Sequence, residues 1–441
     1  MQNHHESIKA TLTDMVANMS KASMLYVKNP EKDFTRTRKL PFDTMMMTLI
    51  SMGGNTLSKE LMDCQGYAPD VATSSAFVQQ RDKILPLAFE FLLQHFTSSC
   101  AKVKYYNGYR LFAVDGSSLN ISHDPNDVDT YYQNTPKIKG FNQMHLNALY
   151  DLCSKIYVDA IVRPEKKKGE CKALVDMVDR SSIKDKVIIV GDRGFEAYNN
   201  LAHIERKGWH YVIRVKDSSA SNSILSGVAL PKDDEFDAPV SFVLTRKQTN
   251  EVKARPDIYK NMPSHGTFDF LDLHDNKFYP ISFRAVRVLL PNGEYETLIT
   301  NLDADAFPAD ELRKIYKQRW GIETSFRTLK YTIGLSNFHA KKRDFIVQEI
   351  FARLILYNFI QIIASLAIIP QADRLHEYII NFTNAVHVCR RFLKLRPHKP
   401  PIDVVALIRK SLVPVRPIRK GQSGERKTRP KADFSFTYRI A

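Results

Sequence analysis

The apolar residues of the first 104 positions recur at helical spacing and predict a helical region there. One such series, with members mostly three or four residues apart, is Phe42, Met45, Met46, Leu49 and Ile50. From position 109 the spacing gives way to short apolar runs bounded by turn residues, which is typical of strands. The chain is therefore expected to begin with a helical unit and to continue into a unit that contains a sheet.

The stretch after position 109 alternates between strand and helix patterns. The predicted strands are 110–115, 144–150, 155–162, 187–191 and 209–215, and the predicted helices cover about 171–178 and 197–206. The run 187–191, Val-Ile-Ile-Val-Gly, is continuously apolar, as in a strand buried on both faces. Strands in succession, followed by strand-helix-strand, predict an α/β fold with a mixed sheet.

The α/β alternation stops between positions 217 and 283 and then returns. Short strands are predicted at 241–245 and 267–273, among polar turns and prolines, which indicates a β-rich insertion. A long helix is predicted over about 309–331. The expected division is a helical N-terminal domain at 1–104, a core at 105–216 and 284–370, the insertion at 217–283, and a C-terminal helical region with a basic tail at 371–441.

Two short helices of the N-terminal domain have the outline of a helix-turn-helix. Thr56 can cap the first helix, and a turn follows at Gly66 and Pro69. Thr73 or Ser74 can cap the second helix, which is expected to end at Pro86. If the second helix enters a DNA groove, its candidate contacts are Gln79, Gln80 and Arg81. An ordinary helical hairpin fits the same pattern equally well.

The charge of the chain favours a polyanionic partner. Lys and Arg number 64 against 48 Asp and Glu, which gives a formal net charge of +16. Nucleic acid is the usual partner of so basic a protein, although a solvated basic surface is the alternative. The densest basic stretch, 409–431, holds nine Lys or Arg and one Glu and is expected to be disordered or to wrap DNA.

Cysteine spacing and hydropathy argue against several other classes. The five cysteines show no metal-ligand spacing, which favours a reducing compartment over a disulfide framework or a zinc site. The N-terminus lacks the pattern of a signal peptide. The apolar stretch 350–369 is long enough to cross a membrane, but Arg353, Asn358 and Gln361 within it favour a buried helix. We therefore expect a cytoplasmic protein.

Two aspartates follow predicted strands. Asp115 ends an otherwise apolar strand, where a carboxylate without a partner would be costly to bury. Asp192 directly follows the apolar run 187–191, and ligand sites of open α/β sheets cluster at such strand ends. Either aspartate alone also fits a turn or capping role, and each adjoins a glycine, Gly116 or Gly191, which suits both interpretations.

The long helix predicted at 309–331 places four polar side chains on one face. At about 100° per residue their directions fall within about 60° of one another, and they extend over about 21 Å of the axis. They are Tyr316, Arg319, Glu323 and Lys330, and Arg327 projects nearby. One carboxylate among cationic groups suits a metal and phosphate site, whereas a solvated stripe of salt bridges would give the same pattern.

These residues also form a known motif. The pattern Tyr-x2-Arg-x3-Glu-x6-Lys resembles the signature of the bacterial insertion-sequence-four family of transposases. Further similar features are Val114-Asp115-Gly116, the Asp-Arg-Gly-Phe turn at 192–195, the β-rich segment before the signature, and the segments 34–42 and 52–55. The resemblance covers about residues 30–440.

The resemblance implies a ribonuclease-H-like core and a DDE triad formed by Asp115, Asp192 and Glu323. In such a triad the two aspartates would bridge two Mg²⁺ ions, or Mn²⁺, and the glutamate would bind one of them. Phosphates near the transposon end would be held by Tyr316, Arg319 and Lys330. The implied partners are double-stranded DNA with terminal inverted repeats, a target DNA and a second copy of the chain in a homodimer. The implied location is the bacterial nucleoid.

The predicted insertion departs from the family because it contains no tryptophan. In relatives a tryptophan there stacks on a flipped base while a DNA hairpin is held, whereas the tryptophans of this chain are Trp209 and Trp320. Base stacking accepts any aromatic ring. The candidate replacements are Phe242, Tyr259, Phe268, Phe270 and Tyr279. Whether excision passes through a hairpin therefore stays open.

The function expected is a DNA transposase of the cut-and-paste type. Cleavage at the element's end frees a 3′-hydroxyl, which then attacks target DNA by in-line displacement. A DNA-binding regulator derived from a transposase would not need the three carboxylates, and a nuclease on the same fold would cut without joining. Tyr316 as a recombinase-type nucleophile is less favoured than a phosphate contact, because it shares a helix face with Lys330.

Overall fold

The computed structural model describes residues 4–36, 38–133, 135, 139–274, 276–290, 292–367, 369, 377–395 and 402–415. The basic tail predicted at 409–431 lies outside the described residues from position 416 onward. All structural statements below concern the described part of the chain.

Five helices make up the N-terminal region, as the apolar spacing predicts. They are α1 (His4–Lys21), α2 (Phe42–Ser51), α3 (Leu57–Gln65), α4 (Ser74–Arg81) and α5 (Leu87–Cys100). Thr56 and Thr73 cap α3 and α4, because each hydroxyl accepts a hydrogen bond from a backbone N–H of the following turn. Helix α3 ends at Gly66 with φ of +70°, a conformation that suits glycine. Helix α4 stops at Arg81 rather than reaching Pro86.

One mixed sheet of ten strands forms the centre of the protein. The strands are β1 (Arg110–Ile121), β2 (Tyr131–Tyr132), β3 (Phe141–Asp151), β4 (Ile156–Pro164), β5 (Val187–Gly191), β6 (His210–Val215), β7 (Phe236–Thr245), β8 (Tyr259–Asn261), β9 (Phe278–Leu289) and β10 (Tyr295–Thr300). Their order is β2-β3-β1-β5-β6-β10-β9-β7-β8, with β4 paired to β3. Strand β3 runs antiparallel to β1, whereas β5 runs parallel to it. The predicted α/β fold with a mixed sheet is confirmed.

The two faces of the sheet are covered by different helices. Leu111 and Ala113 of β1 pack into a core shared with the N-terminal helices. Phe112 and Val114 point to the opposite face, where α6 (Glu170–Arg180) and α7 (Tyr198–Arg206) complete a second core. The alternation predicted for β1 is thus realised, with each face of the strand buried.

The predicted insertion extends the central sheet instead of forming one of its own. Strand β7 pairs with β9, and β9 pairs with β10 of the core; α8 (Asn250–Ala254) leads to the short edge strand β8. The strand predicted at 267–273 is wrong, because these residues form turns. Phe268 and Leu271 are buried there, and Asp269 accepts hydrogen bonds from Asn199 and pairs with His203 of α7. Side-chain packing, not strand pairing, fixes this segment.

The last part of the chain is mainly helical. Its elements are α9 (Ala309–Gln318), α10 (Trp320–Arg327), α11 (Arg343–Ser365), α12 (Phe382–Lys394), α13 (Val404–Lys410), and the small hairpin partners β11 (Tyr378–Ile380) and β12 (Leu412–Pro414). The single helix predicted at 309–331 is divided into α9, α10 and a π-helical turn at Thr328–Thr332. Arg319 between α9 and α10 keeps helical dihedrals, so the axis continues. We call α9, α10 and the π turn together the signature helix.

Helix α11 is the buried helix predicted from the apolar stretch. Its length and composition would allow it to cross a membrane, yet its most apolar window is 89% buried inside the protein. The polar side chains within it are satisfied by neighbouring backbone. The Arg353 guanidinium donates to the carbonyls of Met52 and Gly53, and Asn358 donates to the carbonyl of Tyr157. These bonds tie α11 to the N-terminal helices and to the sheet.

Candidate active site

The positions of Asp115 and Asp192 follow from the pairing of β1 with β5. The two strands run parallel, and their paired residues end at Ala113 opposite Val190. Each chain then continues for two more residues to its aspartate, so the two residues lie at the same level of neighbouring chains. Asp192 directly follows β5, whereas Asp115 lies within β1, which continues beside β3 to Ile121. Both Asp side chains also fix their own turns: Asp115 Oδ1 accepts from the Gly116 N–H at 2.8 Å, and Asp192 Oδ1 accepts from the Gly194 N–H at 2.8 Å.

Glu323 of α10 is linked to Asp115 through an arginine. The Arg319 guanidinium donates to Glu323 Oε1 at 2.8 Å, and its other terminal nitrogen is 3.8 Å from Asp115 Oδ2. Arg319 is 8% exposed, so its charge acts in a poorly solvated space. The spacing of four residues puts Arg319 and Glu323 on one helix face, as predicted. The signature helix therefore brings one cation and one carboxylate to the two aspartates.

The two other carboxylates influence the electrostatics of Asp115. Burial raises the pKa of Asp115 to about 6, although the Gly116 N–H and the Arg319 guanidinium act in the opposite direction. The negative charges of Asp192 and Glu323 contribute to the rise. The raised pKa of Asp115 therefore reflects mainly its burial, with a smaller contribution from the two other carboxylates.

The donor set suits a hard divalent cation. Carboxylate oxygens are the ligands that Mg²⁺ prefers, and Arg319 already supplies positive charge between Asp115 and Glu323. Across the described ranges, however, no three acidic, His or Cys side chains are gathered closely enough to enclose an ion as they stand. Glu323 would have to exchange its bond with Arg319 for a place beside the aspartates.

The other residues of the predicted stripe differ in exposure. Tyr316 is 7% exposed, and the Arg319 guanidinium lies 5.7 Å from its ring centre, so the ring supports Arg319. Burial raises the pKa of the Tyr316 hydroxyl, which does not favour a tyrosine nucleophile. Lys330 donates to the carbonyl of Ser118 at 2.9 Å and is partly buried, whereas Arg327 is exposed.

The helix-turn-helix candidates are placed unequally. Arg81 is 1% exposed; it pairs with Glu349 at 2.8 Å and also donates to Gln348 and to the carbonyl of Phe345. The prediction that Arg81 contacts DNA is therefore wrong, because its charge is consumed inside the protein. Gln80 is buried as well, at 9% exposure, and its amide oxygen accepts from Lys83, so it too is withdrawn from the surface. Only Gln79 is exposed.

The aromatic residues proposed to replace the missing tryptophan are mostly interior. Phe242 and Phe268 are buried in the core, so neither offers a face to a base. Phe270 and Tyr279 pack against each other and against Phe268. Tyr259 is only partly buried and lies beside Phe278, which is exposed.

Sequence reasoning missed a His and a Glu that pack against the two aspartate turns. His145 of β3 is buried, with Nδ1 3.0 Å from Glu165 and Nε2 3.1 Å from Glu170 at the start of α6. A Cβ placed on Gly116 would lie 2.2 Å from His145 Nε2, and a Cβ on Gly194 would lie 3.7 Å from Glu170 Oε2. The glycine after Asp115 and the glycine two places after Asp192 were the available signals.

Gly116→Ala is expected to reduce DNA cleavage by about 100-fold, because the new methyl group must displace His145 or the Asp115 turn. His145 cannot yield easily, since it is buried between two carboxylates. Single-turnover cleavage and thermal unfolding measure the effect. The control is Gly208→Asn, at a turn with φ of +75° and open space around it. Unchanged cleavage in Gly116→Ala would mean that the contact with His145 does not hold Asp115 in place.

Comparisons with known proteins agree with this geometry. The family model described as a transposase DDE domain matches residues 106–359, more than half of the chain. The chain is 20% identical over 385 residues to the transposase InsG for insertion sequence element IS4 of Escherichia coli K12, covering 82% of this chain and 77% of InsG. It is 31% identical over 127 residues to y4zB of Sinorhizobium fredii, named as a transposase, covering 28% of this chain and 33% of that protein.

A solved structure also aligns with most of the chain. It is the cryo-EM structure of the piggyBac transposase synaptic complex with hairpin DNA, at 11% identity and a TM-score of 0.42, covering 89% of this chain and 80% of that chain. The family match includes all three carboxylates and the strands that place Asp115 and Asp192. The chain belongs to the DDE transposase family and is related to the transposases of the insertion-sequence-four group.

Proposed function

We propose that this transposase cuts DNA at the ends of an insertion sequence and joins the freed ends to target DNA. Asp115, Asp192 and Glu323 are the proposed catalytic residues and the ligands of two divalent cations, Mg²⁺ or Mn²⁺. The observation that carries the proposal is that the buried Arg319 lies against both Asp115 and Glu323, while the negative charges of Asp192 and Glu323 also act on Asp115. Arg319 neutralises part of the negative charge of Asp115 and Glu323, and two divalent cations would neutralise more of it.

The chemistry proposed is the same displacement used twice. Two divalent cations held by Asp115, Asp192 and Glu323 would supply activation of the attacking hydroxyl and neutralisation of the leaving oxygen. The residues of the chain supply rigidity: the Asp115 and Asp192 turns are closed by their own hydrogen bonds with Gly116 and Gly194. Because no bond to the protein is formed, no nucleophilic Ser or Tyr is required.

The proposed DNA contacts lie on the signature helix. The Nε of Arg319 is buried and donates to no group of the described residues, which supports a bond to a phosphate oxygen. The Lys330 ammonium group has three N–H donors and uses one of them for the Ser118 carbonyl. Arg327, three residues before it, is exposed. Tyr316 acts by orienting Arg319. Gln79 is the proposed contact of the N-terminal region.

The remaining parts of the proposal concern partners and place. Double-stranded DNA with terminal inverted repeats and a target DNA are the substrates, and two copies of the chain would bring two DNA ends together. The net charge of +16 supports work on the bacterial nucleoid in the cytoplasm. A hairpin intermediate is not part of the proposal, because Phe242 and Phe268 of the insertion are buried.

The test uses the purified full chain, Mg²⁺, a linear DNA carrying the inverted repeats that flank the reading frame, and a supercoiled plasmid. The expected result is cleavage at the repeats followed by insertion into the plasmid, read by gel and by sequencing of the junctions. Binding without cleavage would support a regulator instead. Cleavage without joined products would support a nuclease. Omission of the divalent ion should stop both steps.

A further inference from the structure

A cavity of about 420 Å³ lies between the end of α3 and helix α12. None of the three proposed catalytic carboxylates is among its lining residues. Its lining consists of Asp63, Gly66, Tyr67, Arg390, Arg391 and Lys394. Asp63 lies in the last turn of α3, Gly66 and Tyr67 lie in the turn that follows, and the other three residues lie on one face of α12. The cavity therefore joins the N-terminal region to the C-terminal helices.

The cations around this cavity exceed the anions. Lys394 is 3.3 Å from the fully buried carboxylate of Glu60, and Asp63 accepts a hydrogen bond from the Tyr67 hydroxyl. Arg391 is exposed, and no carboxylate of the described residues forms an ion pair with it. The buried Arg353 guanidinium stands behind the cavity, with its bonds directed to backbone carbonyls. Glu60 is thus the main counter-charge for several cations.

The shortage of negative charge around the cavity is clearest at Arg390. Its terminal nitrogen donates to the carbonyl of Ile333, but its Nε is buried and has no hydrogen-bond partner among the described residues. Burial and the like charge of Arg353 lower the pKa of Arg390 to about 10, and Glu60 offsets this only in part. A buried donor without a partner is costly, so an anion in the cavity would relieve Arg390.

The cavity is connected to the proposed active site by the signature helix. Ile333, which holds Arg390, lies just beyond the π turn and ten residues after Glu323. At 1.5 Å per residue this corresponds to about 15 Å along a helix. Each DNA strand has one phosphate per about 3.4 Å of the duplex axis, so a duplex bound at both places would span about four phosphates over this distance.

We propose that Arg390 and Arg391 bind a backbone phosphate of the transposon-end DNA in this cavity. The inference rests on the proposed function, since it takes the bound DNA to be the element's end. It adds to Gln79 a DNA contact on α12, next to the turn after α3, whereas the buried Arg81 of α4 offers none. An acidic segment of a second protein is the alternative occupant that the experiment separates.

Arg391→Ala tests the assignment, because the side chain is exposed and its loss leaves no buried charge unpaired. Binding of the full chain to a fluorescent duplex of the terminal repeat is measured by anisotropy over a series of salt concentrations. Loss of one phosphate contact should lower the slope of log K against log salt by about 0.9, and weaken binding about eightfold at about 0.1 M salt. Lys184→Ala, an exposed cation before β5 at the opposite end of that strand from Asp192, is the matched control and should change neither quantity.

A second measurement locates the phosphate. Single phosphates of the duplex are replaced in turn by uncharged methylphosphonates. Wild type should lose affinity at one or two positions, and Arg391→Ala should be insensitive at those same positions. An unchanged salt slope, or sensitivity that is identical in both proteins at every position, overturns the proposal. So does a variant that binds DNA normally but loses self-association, which would identify a protein interface.

The outcomes also distinguish failure of the cavity assignment from failure of the proposed transposase function. A wild-type chain that cuts and joins DNA, together with an Arg391→Ala variant of unchanged salt slope, overturns the cavity assignment alone. A wild-type chain that does not bind the terminal repeat overturns both. Arg390→Lys adds a check: it keeps the charge but removes the Nε donor, so it should weaken binding without lowering the salt slope.

Discussion

Glu323→Gln is expected to lower the rate of strand cleavage by about 10²–10³-fold or more while duplex DNA is still bound. Glutamine keeps the shape of the side chain, and its amide oxygen can still accept the bond from Arg319 that Glu323 accepts at 2.8 Å. The negative charge needed to hold a divalent ion is lost, and several kcal/mol of transition-state stabilisation correspond to this factor. Single-turnover cleavage and anisotropy on the same DNA separate the two effects.

The matched control for this variant is Asp310→Asn. Asp310 lies in the first turn of α9 on the same helix, is well exposed, and pairs only with Arg313. Its neutralisation should leave cleavage unchanged. If Glu323→Gln cleaves as fast as wild type, Glu323 does not belong to the metal site and the third ligand must be sought elsewhere; Glu170 beside Gly194 is the nearest described carboxylate to examine.

Glu349→Gln is expected to destabilise the protein by about 3–5 kcal/mol, because it leaves the buried Arg81 guanidinium without its counter-charge. Both side chains of that ion pair are 2% exposed, and Glu349 also accepts from the His339 backbone N–H at 3.0 Å. Chemical denaturation at neutral pH, followed by fluorescence and by circular dichroism, measures the loss. Glu251→Gln, on the exposed side of α8, is the control and should have no measurable effect.

The same variant should change the response to acid. Burial alone would raise the pKa of Glu349, but Arg81, His339 and Arg353 lower it from 4.5 to about 2. A carboxyl whose pKa is lowered on folding stabilises the protein above its unfolded pKa and loses that contribution as the pH falls toward the folded value. The difference in unfolding free energy between wild type and Glu349→Gln should therefore shrink below pH about 4.5. A difference that stays constant to pH about 3 would contradict the charge pairing.

The positions of the two aspartates were predictable because they depend on local rules. The run 187–191 was predicted with the bounds that β5 has, and the alternation along β1 fixed which of its residues face each core. Parallel neighbours in an α/β sheet then bring their ends to one edge. Glu323 needed the motif in addition, because helix periodicity alone does not distinguish a metal ligand from a salt-bridge partner.

The surface of the N-terminal region was not predictable from local pattern. Arg81 follows Gln79 and Gln80 on a short helix, and nothing near it in sequence indicates burial. Its partner Glu349 lies 268 residues further along, so only the packing of α4 against α11 decides where the guanidinium points. The cavity beside α12 has the same origin, since its lining combines residues from the turn after α3 with residues more than three hundred positions away.

The pairing of the segment 217–283 with the central sheet was not visible in the local pattern either. The segment 217–283 appeared separate because its strands are short and rich in proline, yet β7 pairs along its whole length with β9. Proline is tolerated there because β7 has only the three-residue β8 on its outer side, which leaves some backbone N–H groups unpaired in any case. The two paired strands are separated by more than thirty residues, so the apolar pattern of a short sequence segment does not indicate that they pair.

The pairing of β9 with β10, and of β7 with β9, covers the backbone of β10, which is a role for this segment apart from any contact with DNA. If β7, β8 and β9 were cut away, β10 would become an open border of the sheet, and its strand is buried almost throughout. An unpaired, apolar border is a template for the strands of other molecules and so for aggregation. In the intact chain that border is moved outward to the three-residue β8 and to the part of β7 before Val243, where Pro239 lacks a backbone N–H and makes the strand a poorer template.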